Sequence, residues 1–229
     1  MHIPDGFIDL GTSAGAGLVA AGGLGVATKR AGAQLDERAV PLAGLVAAFT
    51  FAMQMVSFPV AAGTSGHLLG GVLAAVLVGP WLGAVCASVV LAVQALLFAD
   101  GGLSALGLNL VNMALVGGLL GYALFAGLRA VLPKTAPAVV LAAGLAAGAS
   151  VVLSSLAFCV EYAVGGTGGA SVGAVVAAMA GVHLLIGIGE GVITAMIVSS
   201  VLAVRPDLVW GARHLQTVPP VLAAGAEAA

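Results

Sequence analysis

Long runs of apolar residues, interrupted by short polar breaks, most constrain how this sequence can fold. Several runs approach or exceed the roughly 20 residues that an α-helix needs to cross about 30 Å of hydrocarbon. The alternation of polar and apolar residues that is typical of strands is absent. Of the 229 residues, 61% are hydrophobic and 7% are charged, outside the range of ordinary soluble domains. Because backbone groups find no water inside a bilayer, the sequence predicts an all-α integral membrane protein.

Charged residues, prolines and glycines divide the apolar runs into seven predicted transmembrane helices. They cover residues 10–28, 40–56, 66–78, 81–98, 106–132, 137–163 and 172–204. The third span is short, since at about 1.5 Å per residue it covers only some 21 Å. The predicted organisation is a membrane-embedded domain of residues 1–204 followed by a cytoplasmic tail of residues 205–229.

The positive charges predict how these spans are oriented. With seven crossings and the N-terminus outside, every Lys and Arg lies on the cytoplasmic side, as the positive-inside tendency expects. These residues are Lys29, Arg30, Arg38, Arg129, Lys134, Arg205 and Arg213. The same topology places Met1-His2 and the loops at residues 57–66, near Asp100 and near Gly165 together on the outer face. The few basic residues form no basic surface, so nucleic acid is not an expected partner.

The two residues at the N-terminus have unusual chelating chemistry. A free Met1-His2 start offers its terminal amine, the deprotonated amide nitrogen of His2 and the His2 imidazole, which close five- and six-membered rings on one ion. A fourth nitrogen from a distant imidazole completes the planar set associated with Ni(II) or Cu(II), and imidazole also accepts Co(II) and Zn(II). His67 is the candidate for that nitrogen. Since protons must be displaced, we expect the affinity to fall as the pH is lowered.

Several separated motifs follow the Met-His-Ile-Pro-Asp-Gly opening in order. They are Phe58-Pro59-Val60, Gly-Thr-Ser-Gly-His-Leu-Leu-Gly at residues 63–70, Gly79-Pro80-Trp81, Gln-Ala-Leu-Leu-Phe-Ala-Asp-Gly-Gly at residues 94–102 and Asn-Leu-Val-Asn-Met at residues 109–113. On these motifs, residues 1 to about 204 resemble the CbiM/NikM family. Ser57 departs from the pattern, which has an Asn before Phe-Pro.

The resemblance implies a function in metal uptake. The family supplies the substrate-binding (S) component of energy-coupling factor (ECF) transporters, a class of ABC transporter, in the bacterial or archaeal cell (inner) membrane. It implies that Met1, His2 and His67 are the metal ligands, and that Ni2+ or Co2+ is the transported substrate without an organic cofactor. The implied partners are a transmembrane coupling subunit, two ABC-type ATPase subunits and a small accessory membrane protein. Since the sequence has no GxxxxGK[ST] phosphate loop, ATP hydrolysis is expected on separate subunits, and the chain is not expected to be an enzyme.

Ionisable residues inside apolar helices are costly, and each calls for a partner or a role. His183 and Glu190 are seven residues apart and share a helical face, and Glu161 lies in the preceding span. We expect these residues to belong to a buried hydrogen-bonding network that supports helix packing or the metal site, with a second metal site as the alternative. Four amide side chains are further candidates for this network: Gln54, Gln94, Asn109 and Asn112.

Two other functions are alternatives. Gly63-Thr64-Ser65-Gly66 is similar to the GxSG motif of rhomboid intramembrane serine proteases, with His183 as the base. The expected depths of Ser65 and His183 differ by some 15 Å, however, whereas a Ser-His hydrogen bond needs about 3 Å. A stand-alone metal channel or secondary transporter is the other alternative, although the sequence has no convincing inverted repeat.

Small residues recur every four positions on the first predicted helix, at Gly17, Ala21 and Gly25. Such a stripe lets membrane helices approach closely. It serves either internal packing or the docking of another membrane subunit, and the sequence does not separate the two.

Overall fold

The computed structural model describes residues 1–33, 35, 37, 39–59 and 65–215 of the chain. The main helices are α1 (Leu10–Gly32), α2 (Ala39–Gln54), α3 (Gly71–Val78), α4 (Pro80–Leu97), α5 (Leu106–Val131), α6 (Ala136–Gly165) and α7 (Val172–Val204). Two short strands, β1 (Ser57–Pro59) and β2 (Ser65–His67), pair antiparallel. Two 3-10 turns, Pro206–Leu208 and Trp210–Leu215, follow α7. Apart from the small sheet and the connecting loops, the described residues are helical, as predicted.

The helices differ in whether they are long enough to span a bilayer. Within the described residues, α1, α4, α5, α6 and α7 are long and apolar enough to cross a membrane. Helix α2 has 16 residues, and α3 has 8, which at 1.5 Å per residue extend about 12 Å. The coarser prediction, a mostly helical chain with several apolar spans, is confirmed. The count of seven crossings and their orientation stay predictions.

The third predicted span, residues 66–78, is wrong over its first part. Its first residues belong to β2, and the helix begins only at Gly71. The chain cannot become helical earlier because Gly70 has a left-handed backbone, with φ +70°. The Glu190 carboxylate of α7 also accepts hydrogen bonds from the two main-chain N–H groups that precede Gly71. These contacts turn a short apolar stretch into a strand, a turn and a half-length helix.

Helix α3 lies in the centre of the bundle and is sharply connected to α4. Nearly all of its residues are buried. Gly79 has φ +92°, and Pro80 follows as the first residue of α4, where a missing N–H costs nothing. A Cβ at Gly83 would lie 2.7 Å from the backbone nitrogen of Ala75, so glycine allows α4 to fold back against α3. The turn from β2 therefore enters the bundle interior.

Helices α6 and α7 pack closely against each other through glycines. A Cβ at Gly148 would lie 2.8 Å from the Gly187 carbonyl oxygen, and one at Gly191 would lie 2.8 Å from that of Gly144. Small residues permit this approach, which is a common way for membrane helices to associate. The pairing fixes the position of α7, which carries His183 and Glu190, against the rest of the bundle.

Helix α5 contains a π-helical stretch, Leu110–Leu120. A wider helical turn leaves main-chain carbonyl groups with altered partners, and such segments are frequent at functional sites. Here the Ser154 hydroxyl of α6 donates to the Asn112 carbonyl oxygen at 2.8 Å. The sequence predicts a helix in this region but not its π-helical form.

Basic residues of the described part of the chain meet at the end of the bundle remote from the N-terminus. The Arg30 guanidinium lies 4.5 Å from the Trp81 ring centre, and that of Arg213 lies 3.9 Å from the Trp210 ring. Arg129 approaches the His214 Nε2 at 2.8 Å. The side of a membrane that this end faces stays a prediction. The predicted basic residue Arg38 and residues 216–229 of the predicted tail lie outside the described residues.

The small-residue stripe of α1 is divided between the interior and the surface. Gly17 packs against α5, since a Cβ at Gly107 would lie 2.5 Å from the Gly17 Cα atom. Ala21 and Gly25 are exposed on the bundle surface. The internal-packing interpretation therefore applies to Gly17, while the docking interpretation of the other two stays a prediction.

Candidate metal site

The N-terminal segment is fastened inside the end of the bundle. Met1 and Ile3 are 2% and 1% exposed. The Ile3 N–H donates to the Asn109 Oδ1 at 2.8 Å, and the Asn109 amide donates back to the Ile3 carbonyl at 3.2 Å. Gly102 also donates its N–H to that carbonyl at 2.8 Å. Three hydrogen bonds on one residue therefore set the position of the neighbouring His2.

Further contacts hold the exposed part of the same segment. Asp5 accepts hydrogen bonds from the Ser104 N–H at 2.7 Å and from its hydroxyl at 2.6 Å, which lower the Asp5 pKa. The Thr167 hydroxyl donates to the Gly6 carbonyl at 2.6 Å, and Asp9 donates its N–H to Gly165 at 2.7 Å. The N-terminus and the loops near Asp100 and Gly165 thus meet at one end, as the sequence predicted.

The imidazoles of His2 and His67 face each other across 65 positions of sequence. The His2 Nδ1 and the His67 Nε2 are 3.0 Å apart, and the ring centres are 4.6 Å apart. His67 donates its Nδ1–H to the Leu68 carbonyl at 2.8 Å, and His2 donates its Nε2–H to the Gln94 Oε1 at 3.1 Å. Since a carbonyl oxygen only accepts, each ring is set in one tautomer. The two facing nitrogens are therefore the unprotonated ones.

This separation matches what a metal ion requires. Two nitrogens at right angles, each about 2.0 Å from an ion, are about 2.8 Å apart. The remote ring nitrogens contact a side-chain amide oxygen in the case of His2 and a backbone carbonyl in the case of His67, and such contacts orient metal-binding histidines. The Nδ1 of His2 is also the nitrogen that can close a six-membered ring with the His2 amide nitrogen. The predicted residues Met1, His2 and His67 are thus brought together at one buried point, with His2 5% and His67 0% exposed.

Burial keeps these groups free of protons. It lowers the pKa of the Met1 amine to about 4, against the opposing effect of the Asp100 carboxylate. It likewise lowers the pKa of His2 to about 4, with the charge of the amine as the next cause. The pKa of His67 is well below its usual value, first through burial and then through the neighbouring amine and His2. At neutral pH the amine and both imidazoles are therefore available as neutral donors.

Asp100 is a neighbour of the site that sequence reasoning did not place among the ligands. Its Oδ1 lies 3.2 Å from the His2 Nδ1, and its side chain is 32% exposed. Gly101, with φ +91°, lets this loop press against the His2 ring, since a Cβ there would lie 3.1 Å from the His2 Cδ2. The only available signal was the position of Asp100 in the motif at residues 94–102. Asp100 thus supplies a carboxylate at the rim of an otherwise neutral site.

Side chains alone do not complete a metal centre. Within the described residues, no group of three or more His, Cys, Asp or Glu side chains is arranged to hold a metal ion. The residues present can hold one ion with two imidazole nitrogens only if main-chain nitrogens of Met1 and His2 contribute. This donor set is the one predicted from the Met-His start, and the assignment of these three residues as ligands stays a prediction.

The other buried polar residues divide into separate groups. Glu190 binds the turn after β2, accepting from the N–H of Leu69 and, at 2.7 Å, from that of Gly70. His183, two turns earlier on α7, donates its Nδ1–H to the Met179 carbonyl at 2.8 Å. Glu161 instead accepts from the Asn112 amide at 2.7 Å, on the α5 side of the bundle.

The predicted amides also contact these groups. Gln94 and Asn109 lie against the metal site, as described, and Gln54 donates to the Leu69 carbonyl at 2.7 Å. In the protease alternative, Gly63 and Thr64 lie outside the described residues. Ser57 is paired with His67 across the small sheet, so the departure from the family pattern lies beside the site.

Comparisons with known proteins identify what the chain is similar to. The model of the CbiM family, described as the cobalt uptake substrate-specific transmembrane region, matches residues 2–208. A candidate fused nickel transport protein NikMN of Archaeoglobus fulgidus is 38% identical over 209 residues, covering 91% of this chain and 68% of that protein. The cobalt transport protein CbiM of Geobacter sulfurreducens is 36% identical over 211 residues, covering 91% and 61%.

A solved structure has the same fold. The crystal structure of a transition metal transporter superposes with a TM-score of 0.83 at 30% identity, covering 89% of this chain and 93% of that chain. These relatives are metal transport proteins rather than enzymes, so they give no support to the protease alternative.

Proposed function

Because the chain belongs to the CbiM family of cobalt uptake transmembrane components, we propose that it captures one Ni2+ or Co2+ ion as the substrate-binding subunit of an ATP-driven importer. The single observation that carries the proposal is the pair of imidazole nitrogens, the His2 Nδ1 and the His67 Nε2, which face each other at 3.0 Å while an oxygen holds the other nitrogen of each ring. Two facing lone pairs repel each other, and a shared cation relieves that repulsion. The ion is the transported substrate.

We place the ion between the imidazoles and the main chain of the first two residues. The Met1 amine and the His2 amide nitrogen would close a five-membered ring, and the His2 Nδ1 would close a six-membered ring. The His67 Nε2 would be the fourth donor. The amide proton must leave when the ion binds, whereas the amine and imidazoles are already neutral, since burial lowers the pKa of the Met1 amine and of His2 to about 4.

The proposed donor set bears on the identity of the metal. Four nitrogens in a plane suit Ni(II), and imidazoles also accept Co(II). The names of the relatives include both a nickel and a cobalt transport protein. Nickel is therefore our first candidate on chemical grounds, and an absorption spectrum typical of planar Ni(II) would support it. A tetrahedral spectrum with Co(II) would contradict the amide-nitrogen ligand.

Transport itself requires components other than this chain. We propose that the N-terminal end of the bundle faces the outside of the cell membrane, and that a transmembrane coupling subunit, two ABC-type ATPase subunits and a small accessory membrane protein complete the importer. Deleting the ATPase genes should abolish uptake of radioactive nickel by cells that still contain this chain. Undiminished uptake in that strain would instead indicate a stand-alone transporter.

The capture site is tested by extending the chain. A single Gly added before Met1 converts the terminal amine into an amide and lengthens a buried segment, so we expect Ni(II) binding to the purified protein to fall below detection by titration calorimetry. The matched control adds one Gly at the C-terminus and should bind as the unmodified protein does. The intact mass of each protein must show that Met1 is retained and unblocked. Unchanged affinity in the N-terminally extended protein would refute the proposed site.

A further inference from the structure

The metal site is built from neutral groups, and the carboxylate of Asp100 lies at its edge. The Met1 amine and the imidazoles of His2 and His67 are buried. The Asp100 Oδ1 lies 3.2 Å from the His2 Nδ1, and the Asp100 side chain is 32% exposed. This one side chain therefore contacts both the buried site and the solvent.

The backbone of the loop after α4 holds this carboxylate against His2. Asp100 lies between Ala99, with φ +52°, and Gly101, with φ +91°. The Asp100 N–H donates to the main-chain carbonyl of Gln94 at 3.1 Å, and the Gln94 side chain contacts the His2 ring. A positive φ is uncommon for a residue other than glycine, and such conformations cluster at functional sites. The loop therefore fixes the carboxylate beside the metal site.

Two other carboxylates at this end of the bundle have hydrogen-bond donors of their own. Asp5 accepts two hydrogen bonds from Ser104. Asp9 accepts two from the first turn of α1. Among the described residues, by contrast, no main-chain N–H or hydroxyl group donates to the Asp100 carboxylate, whose close neighbour is the His2 Nδ1. The negative charge of Asp100 is therefore available to an ion at the metal site.

The electrostatic field of Asp100 reaches both residues at the start of the chain. Burial lowers the pKa of the Met1 amine and of His2 to about 4, and in each case the Asp100 carboxylate opposes that effect. A nearby negative charge favours the positively charged form of a group. Arg30 and Arg213 lie at the other end of the bundle, where each packs on a tryptophan ring. The carboxylate therefore stabilises a positive charge placed among these donors.

The charge of the occupied site calls for one carboxylate. In the proposed site a divalent ion brings two positive charges, and the His2 amide nitrogen cancels one of them after losing its proton. The amine and the two imidazoles bring no charge, so one positive charge would remain in a buried region. Burying a charge without a partner is costly. The Asp100 carboxylate cancels this remaining charge.

We propose that Asp100 is the counter-charge of the metal site, attracting the divalent cation at the rim and balancing its charge once it is bound. This inference rests on the proposed function. The four nitrogens already complete a planar set, so the carboxylate is not needed as a ligand. Charges at the entrance of a site raise the rate of capture, and salt screens them. Asp100 therefore controls how fast and how tightly the ion binds, but not its coordination geometry.

The test removes the charge of the side chain and keeps its shape. Asp100→Asn is made in the full-length chain and purified beside the unmodified protein. Stopped-flow absorption measures the rate of Ni(II) association, and titration calorimetry measures the dissociation constant. In about 0.01 M salt we expect association and affinity each to fall at least about tenfold. In about 1 M salt, where the Debye length is about 3 Å, the two association rates should agree within about threefold.

Two matched variants separate the charge of Asp100 from other changes. Asp100→Glu keeps a carboxylate, and its association rate should stay within about threefold of that of the unmodified protein at both salt concentrations. Asp207→Asn removes one negative charge from the other end of the bundle, where Asp207 accepts from Arg205, and should bind Ni(II) normally. The absorption spectrum of bound Ni(II) should be the same in every variant. If Asp100→Asn is not produced, Asp100→Ser takes its place.

Three results would overturn the role of Asp100 while leaving the proposed function intact. Association and affinity of Asp100→Asn within about twofold of the unmodified protein in low salt would show that the charge does not act on the ion. A loss of equal size at both salt concentrations would show that Asp100 only orients the His2 ring. A changed Ni(II) spectrum would make Asp100 a ligand. Absence of Ni(II) binding by the unmodified protein would instead refute the proposed function itself.

Discussion

The two polar regions of the bundle differ in how their groups are partnered. At the capture site, His2 and His67 each donate one ring N–H to a fixed oxygen, which leaves the facing nitrogens as preset donors. Further inside, Thr50, Gln54 and Thr194 have buried oxygens with no hydrogen-bond partner among the described residues. A metal site needs donors that are held in place by their neighbours. The histidines at the loop end of the bundle meet that requirement, whereas the polar groups further inside do not.

Removing the imidazole of His67 should have the largest effect on metal binding at the capture site. We expect His67→Ala to weaken Ni(II) binding more than about 100-fold, since loss of a direct ligand should exceed the 10–100-fold typical of outer partners. Titration calorimetry on the purified protein measures the change. His214→Ala, which alters an exposed histidine at the other end, is the control and should bind normally. Binding by the His67 variant at the original strength would place the ion elsewhere.

Lowering the pH should weaken Ni(II) binding by less than His67→Ala does, and the size of the change can be calculated. Because burial lowers the pKa of the Met1 amine and of His2 to about 4, both groups are neutral from pH 7.5 to 5.5. Only the amide proton is then displaced by the ion, so affinity should fall about tenfold per pH unit, or about 100-fold over this range. Calorimetry in buffers of different ionisation enthalpy would count the protons. Release of three protons per ion would show that the Met1 amine and the His2 imidazole carry protons before the ion binds.

The same burial has a consequence for stability. In the unfolded chain the amine takes up a proton below about pH 8, whereas in the folded chain it does so only near pH 4. The unfolded state therefore binds more protons between these values, and the metal-free protein should lose stability as the pH falls through this window.

The two substitutions with the smallest expected effects compare the buried contact that holds the N-terminal segment with the exposed one. Asn109 is 1% exposed and holds Ile3 at two points, so Asn109→Ala should weaken Ni(II) binding about 10–100-fold. Ser104 holds Asp5 at the surface, and Ser104→Ala should change binding by less than about threefold, as surface substitutions usually do. Equal effects of the two variants would show that the segment is positioned as a whole rather than through Ile3.

The long helices could be predicted from the sequence, because their boundaries depend on local composition. Residues 172–204 were predicted and observed with the same limits, and residues 106–132 differ from Leu106–Val131 by one position. The third span could not be predicted, since its first part is held by Glu190, more than 100 positions away. The π-helical form of Leu110–Leu120 was likewise not predicted, and within it the Asn112 carbonyl accepts a hydrogen bond from Ser154 of α6.

For the candidate site, chemistry and family resemblance indicated Met1, His2 and His67, and the fold brings these residues together. The contacts around these three residues could be predicted from the sequence only in part. Gln94 and Asn109 were expected in a polar network, but no spacing rule could assign them to His2 and Ile3. Asp100 reaches His2 from a loop in which both of its neighbours, Ala99 and Gly101, have a positive φ, and the sequence pattern did not specify this conformation.

The hold of Glu190 on the turn after β2 has a consequence for how such a protein varies among relatives. Its partners are main-chain N–H groups, which every residue except proline provides. Position 69 can therefore change without a compensating change at Glu190, while Glu190 has no substitute of similar reach and charge. In an alignment the two positions would vary independently, although they touch. Methods that find contacts from correlated substitutions would miss the contact between Glu190 and the turn that positions His67. They would also miss the contact between Asn109 and the main chain of Ile3.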